Sequence, residues 1–207
     1  MEDEHQPDQN ETMSKVIVVD EDYCTTKSQK FVVKKKFTHY QTSASFDVFD
    51  DEENFLLHAS GCNFAIHRTV LMTDHEHSPL VTLQEGRILD KHRWELYKGD
   101  STDVNDYICK VQRTSAIQVK ARLDVFFPNH DPKSDDGKFE IKEELSSHSA
   151  VLYKGNRAIA HVQHRNTWKS FLQGKDVLKV EVCEGVDYAF VMSILIIMIM
   201  IDIYYKI

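Results

Sequence analysis

The sequence predicts a mainly β chain in which a closed antiparallel sheet wraps around one buried C-terminal helix. Three observations carry this. Polar and apolar residues alternate with a period of two from residue 16 to about residue 182, and clusters of turn-forming residues interrupt the alternation at short intervals. Then Tyr188–Ile201 runs for fourteen residues with no charge and one polar side chain, Ser193. Successive side chains of a strand leave opposite faces of a sheet, so the alternation marks strands with one face buried.

Taken in order, Lys30, Lys34 and Lys36 share a strand face opposite Phe31, Val33 and Phe37. Asp50-Asp51-Glu52-Glu53-Asn54 separates Phe46–Phe49 from Phe55–Leu57, and Gly61 is expected to precede the next strand. There Phe64, Ile66, Val70 and Met72 share a face, and His77-Ser78-Pro79 follows as a turn. Trp94 and Leu96 form the next apolar face, then Tyr107, Cys109 and Val111 after a turn at Lys98-Gly99-Asp100. Val119, Ala121, Leu123, Val125 and Phe127 are apolar while Lys120, Arg122 and Asp124 point the other way. Asp135-Asp136-Gly137 and Lys154-Gly155-Asn156 mark further turns, and Leu178, Val180 and Val182 alternate with Lys179 and Glu181. Strands spaced this closely belong to an antiparallel barrel or sandwich rather than to βαβ units.

The terminal run reads differently. Fourteen continuous apolar residues exceed a usual strand, and Asp187 is a suitable helix N-cap. As a helix the run is about 21 Å long, short of the roughly 30 Å hydrocarbon core of a bilayer, which favours a core helix over a tail anchor. A helix apolar on every side needs protein around it, and a barrel of more than about eight strands has an interior to fill. Burying the run contributes gross stabilisation on the order of 20–40 kcal/mol before ordering entropy is subtracted. The residues expected to form the plug are Tyr188, Phe190, Val191, Ile194, Leu195, Ile197 and Met198, within a core helix of about 187–201.

Composition bounds the rest. The 207 residues are 42% hydrophobic and 28% charged, as one globular domain requires, with a net charge of −8. Residues 1–12 contribute −5 of it through Glu2, Asp3, Glu4, Asp8 and Glu11, and they contain no Lys or Arg. Residues 1–14 are therefore expected to be a disordered acidic tail, and 15–207 a single domain. An acidic start without an apolar stretch is not a secretory signal, so Asn10-Glu11-Thr12 is not expected to be glycosylated. Cys24, Cys62, Cys109 and Cys183 are widely spaced and are read as reduced, buried thiols of a cytoplasmic protein.

Several segments resemble the plant LURP-one-related family. Gly174-Lys175-Asp176-Val177-Leu178-Lys179-Val180-Glu181-Val182 followed by Val186-Asp187-Tyr188-Ala189-Phe190 is one, and Val111-Gln112-Arg113-Thr114-Ser115 with Gln118-Val119-Lys120 and Leu123-Asp124-Val125-Phe126 is another. Val18-Val19-Asp20 with Tyr23-Cys24 is similar to the family's start, and Trp94 falls where the family usually has Trp. The resemblance covers roughly residues 16–200. It implies the tubby C-terminal-like fold, a closed antiparallel barrel of about twelve strands around a central hydrophobic C-terminal helix, distantly similar to phospholipid scramblases. It also implies an association with plant pathogen responses, and superfamily members bind phosphoinositides. This chain departs from its relatives at Glu21 and Glu184, where Pro is common, and at Ile199, where they usually place an acidic residue.

Catalytic and metal signatures are sparse. There is no GxSxG, no Gly-rich phosphate loop and no cysteine in a nucleophile signature. His75-Glu76-His77 beside Asp74 offers two metal-ligand types but lies in a polar turn, and His161 and His164 fall on opposite sides of a strand. No catalytic residue, metal or cofactor is expected. Charge is the stronger lead: Tyr107–Leu123 and Leu145–Lys175 contain no acidic residue. Their Lys110, Arg113, Lys120, Arg122, Lys154, Arg157, Arg165, Lys169 and Lys175 form a candidate anionic-lipid patch, weighed against ordinary outward-facing strand residues dispersed around the barrel. Nucleic acid is a weaker partner, because the net charge is negative and no aromatic residues interleave with the basic positions. The expected function is a non-enzymatic binding module linked to plant defence, recognising anionic phospholipid (a phosphoinositide is the leading case) peripherally at the plasma membrane. The alternatives are a protein-interaction module without lipid, and a tail-anchored protein.

Overall fold

The computed structural model describes residues 14–36, 45–62, 68–86, 93–113, 122–128, 138–144, 149–164 and 177–205. Twelve strands form a closed antiparallel barrel: β1 (Gln29–Lys36), β2 (Ser45–Asp50), β3 (Phe55–Cys62), β4 (Thr69–Asp74), β5 (Pro79–Glu85) and β6 (Arg93–Lys98) are followed by β7 (Tyr107–Arg113), β8 (Arg122–Phe126), β9 (Phe139–Glu144), β10 (Ser149–Lys154), β11 (Arg157–His164) and β12 (Val177–Val182). Each strand pairs with the next in sequence, and β1 pairs with β12 to close the wall, Gln29 opposite Val182 and Lys34 opposite Val177. Among the described residues, closure leaves no edge strand to recruit another chain.

The alternation sorts the side chains as expected. Phe31, Leu57, Trp94 and Leu178 face inward at 0% exposure, while Lys30, Lys34, Lys36 and Lys179 face out. The wall surrounds α1 (Tyr188–Tyr205), whose side chains from Ala189 to Ile201 are at most 2% exposed. Among them are the predicted plug residues Phe190, Val191, Ile194, Leu195, Ile197 and Met198, while Tyr188 is half-buried at the entry. Ser193 sits fully buried in the run because its hydroxyl donates to the Ala189 carbonyl one turn back (2.8 Å). Aromatic contacts bind helix to wall, with Phe190 edge-on to Phe139 (5.3 Å) and Tyr188 tilted over Phe31 (5.0 Å).

Residues 14–28 cross the end of the barrel where α1 enters. Val16 bridges Val186 in parallel, and Cys24 bridges Asp187 antiparallel. Thr25 Oγ1 donates to the Cys183 carbonyl (2.6 Å). Turns at the same end are built from acidic side chains: Asp50 accepts from the amides of Glu52 and Asn54, and Asp74 from those of Glu76 and Ser78. Both of those bonds go to Asp74 Oδ1, beside His75-Glu76-His77, and His77 itself turns the chain with φ 65°.

Some boundaries differ from the sequence reading. Gly61 lies buried inside β3 instead of preceding a strand, because a residue without a side chain fits against the packed interior. Phe127 falls one residue beyond β8, and α1 runs four residues past Ile201. Cys109 is buried as expected, but Cys24 and Cys183 are partly exposed free thiols that donate weakly to the carbonyls of Val16 (3.9 Å) and Ala158 (3.6 Å). Phe37, Phe64, Ile66, Val119 and Ala121, with residues 1–13, lie outside the described residues.

Candidate functional site

With the interior occupied by α1, the candidate site is sought on the outside of the wall, at the seam where β1, β12 and β11 meet. Pairing sets Glu181 between Lys30 on one side and His161 on the other, and in the next outward row sets Lys179 between Val32 and Gln163. These strands form the floor of an open groove of about 560 Å³, with Asp51 from the β2–β3 turn at its rim. Lys30, Asp51, His161, Gln163, Lys179 and Glu181 are all exposed. The Glu181 carboxylate accepts one bond, from Ser28 Oγ at 3.1 Å. Among the described residues, Lys30, Asp51, His161 and Lys179 make no ion pair. Lys34 continues the cationic line along β1, its ammonium 4.5 Å from the centre of the Phe49 ring.

Several other outward side chains are committed within the wall. Lys36 and His58 both bind the nearly buried Asp47, at 2.7 and 2.6 Å. Lys142 pairs with Glu140 and lies over the Tyr153 ring, and Arg93 pairs with Glu95. Tyr97 donates to the same Glu95 (2.8 Å), and burial first, then that bond, pushes its hydroxyl up to about 12.

The predicted patch divides. Lys154 and Arg157 are brought opposite each other across the β10–β11 turn. Arg157 is a structural clamp, donating to the carbonyls of Ser14 (3.2 Å) and Glu184 (3.4 Å). Lys110 lies four strands away on β7, its ammonium 4.6 Å from the Phe126 ring centre, and Arg113 ends that strand half-buried. Arg122 begins β8 opposite Lys142. Lys120, Arg165, Lys169 and Lys175 lie outside the described residues. Lys34, Lys110, Lys142 and Lys154 each lie over a ring. Lys34, Lys110 and Lys154 meet rings of neighbouring strands, and Lys142 that of Tyr153 across the β9–β10 pair, so linear interleaving does not reveal them.

A second cleft of about 580 Å³ lies at the helix-entry end, lined by Lys15, Glu21, Asp22, Cys24, Thr25, Thr26, Glu184 and Gly185. Its lysine is paired with Glu21 (2.5 Å), so the free charges there are acidic. Burial pushes the Cys109 thiol far above its ordinary value, which holds it as an unreactive neutral thiol. Among the described residues, no three His, Cys, Asp or Glu side chains are placed to hold a metal ion.

Sequence reasoning noted His161 and the outward Lys179 and Glu181 separately and missed their convergence with Lys30. No local signal joins them, because the first strand of the barrel meets the last.

Fold and groove together define a twelve-stranded barrel plugged by its own helix, with its uncommitted charges on the outer wall. The chain belongs to the LURP-one-related family, whose sequence model matches residues 29–199. It is 32% identical to Arabidopsis thaliana Protein LURP-one-related 15 over 185 residues, 88% of this chain and 84% of that protein. It is 30% identical to Protein LURP-one-related 14 of the same plant over 183 residues, 87% and 88% of the two chains. The X-ray structure of an Arabidopsis thaliana protein superposes with a TM-score of 0.64 at 28% identity, covering 88% of this chain and 96% of the other.

Proposed function

We propose that the chain acts by binding and not by catalysis, and that its outer wall docks peripherally on anionic phospholipid. The observation that carries this reading is the line of exposed lysines along the closure seam, Lys30, Lys34 and Lys179, beside a groove of headgroup size. Each lysine near an anionic surface contributes about 1 kcal/mol, so three give weak, reversible and salt-sensitive attachment. The filled interior supports an external ligand, since α1 occupies the space in which large barrels hold theirs. Membership of a family associated with plant pathogen responses supports a role in plant defence at the cytoplasmic face of the plasma membrane.

The tail-anchor alternative is disfavoured physically, because the apolar run cannot enter a bilayer while it fills the barrel. Among the described residues, no helix is long and apolar enough to cross a membrane.

Sedimentation with liposomes tests the reading. The protein is expected to pellet with anionic but not neutral vesicles at low salt, and Lys30→Glu with Lys179→Glu is expected to weaken that binding about tenfold or more. Equal sedimentation with both vesicle types would overturn it. A single protein partner whose capture survives the double charge reversal would favour the protein-interaction alternative instead.

A further inference from the structure

The seam groove carries both signs of charge. Lys30 and Glu181 face each other across the β1–β12 pair without forming an ion pair, and Asp51 opens to the same space without one. Among the described residues, two lysines and two carboxylates line the groove, so the fixed charge they bring is balanced before His161 is counted. A ligand bearing negative charge alone would meet Glu181 and Asp51 as repulsive neighbours and would fit better on an all-cationic surface. The juxtaposition calls for a ligand that is itself dipolar.

Resting on the lipid-docking reading, we propose that the groove selects a phosphate headgroup that also carries an ammonium and a carboxylate, the chemistry of phosphoserine. In a bilayer this is phosphatidylserine, and in solution it is free O-phosphoserine. Phosphate and carboxylate oxygens accept from the Lys30 and Lys179 ammonium groups, and the Gln163 amide supplies further donors. The ligand ammonium donates to Glu181, which keeps acceptor capacity beyond the Ser28 bond, and to Asp51. A glycerol headgroup presents the same surface charge and the phosphate but no ammonium, so it leaves the two carboxylates unmatched. The carboxylates therefore confer selectivity and the lysines attachment, a division that combines attraction to one ligand with repulsion of others.

The test compares vesicles of equal anionic fraction containing phosphatidylserine or phosphatidylglycerol, at an ionic strength of about 0.15 M. The whole chain is expected to bind phosphatidylserine about tenfold more tightly, the worth of one charge-assisted hydrogen bond. Glu181→Gln is expected to bring the two lipids to similar affinity, weakening phosphatidylserine binding by loss of the ammonium acceptor and strengthening phosphatidylglycerol binding by loss of the repulsion. Free O-phosphoserine is expected to displace the protein from phosphatidylserine vesicles, and inorganic phosphate to do so less well. Equal affinity for the two lipids would overturn this inference and leave anionic-lipid docking standing, whereas binding to neither vesicle when the comparison is repeated at low salt would overturn both. A serine preference that survives Glu181→Gln, or that free phosphoserine cannot compete away, would overturn the groove as its source.

Discussion

At the scale of single residues, Asp187 has the most to hold together. Its carboxylate caps α1 by accepting from the Phe190 amide (3.0 Å) and gathers the amides of Val18 (3.1 Å), Val19 (2.6 Å) and Asp20 (3.3 Å) from the crossing segment. Removing it leaves four amides at the barrel end without their acceptor, so Asp187→Ala is expected to cost about 2–4 kcal/mol, read as a lower urea midpoint at unchanged slope. A loss below about 0.5 kcal/mol would show that solvent replaces the carboxylate. Burial raises the Asp187 pKa, and the four amides pull the other way without cancelling it. Because the folded-state value lies above the unfolded one of about 3.9, proton uptake favours folding. That contribution is complete below the unfolded value and is lost as pH rises through the folded one. The stability difference between wild type and Asp187→Asn, which cannot titrate there, is thus expected to move in favour of wild type as pH falls through the folded-state value towards the unfolded one of about 3.9. A difference that moves against wild type as pH falls would show that the amide bonds outweigh burial, and one that does not change would show that they cancel it. The sequence exposed part of this role: Asp187 ahead of an apolar run is legible as an N-cap, but its three bonds to Val18, Val19 and Asp20 span more than 160 residues of chain.

At the scale of elements, the strands and the plug were the legible parts, because each rests on a local rhythm. Alternation assigned Phe31, Trp94, Cys109 and Leu178 to the interior, and the wall places them there at 0% exposure. The uninterrupted run identified α1, since a helix apolar on all sides cannot lie on a surface. Its far end was less legible. Asp202 looks like a terminus in the sequence, yet the backbone stays helical to Tyr205, because the hydrogen-bond ladder and not the first charged residue determines where a helix stops. Ile196 lies mid-plug at 1% exposure. Ile196→Asp places an unpaired charge among apolar neighbours and is expected to abolish folding, whereas Ile196→Val costs only about 1 kcal/mol. Circular dichroism and soluble yield check this, and an aspartate variant that melts like the wild type would show that α1 does not sit in the core.

At the scale of the whole molecule, closure governs both stability and site. Alternation tells which residues face inward but not which strands are neighbours, so the pairing of Phe31 with Val180 is absent from any local pattern. For the same reason the basic stretches, read as linear segments, pointed to Lys110 and Lys154, whereas Lys30, His161, Lys179 and Glu181 meet where β1, β12 and β11 join. That seam is also among the long-range contacts of the fold, and closing its loop of some 150 residues costs entropy that its pairing must recover. Without the seam β1 has one neighbour, and without α1 the wall has nothing to pack upon. The three elements are therefore expected to open together. Native-state hydrogen exchange provides the measurement: the slowest amides of β1, β12 and α1 should share one opening free energy and one denaturant slope, both equal to those of global unfolding. If β1 amides instead exchange through a smaller opening, the seam parts while the rest of the barrel stays folded, and the lysines of the groove lose the fixed spacing on which headgroup selection depends.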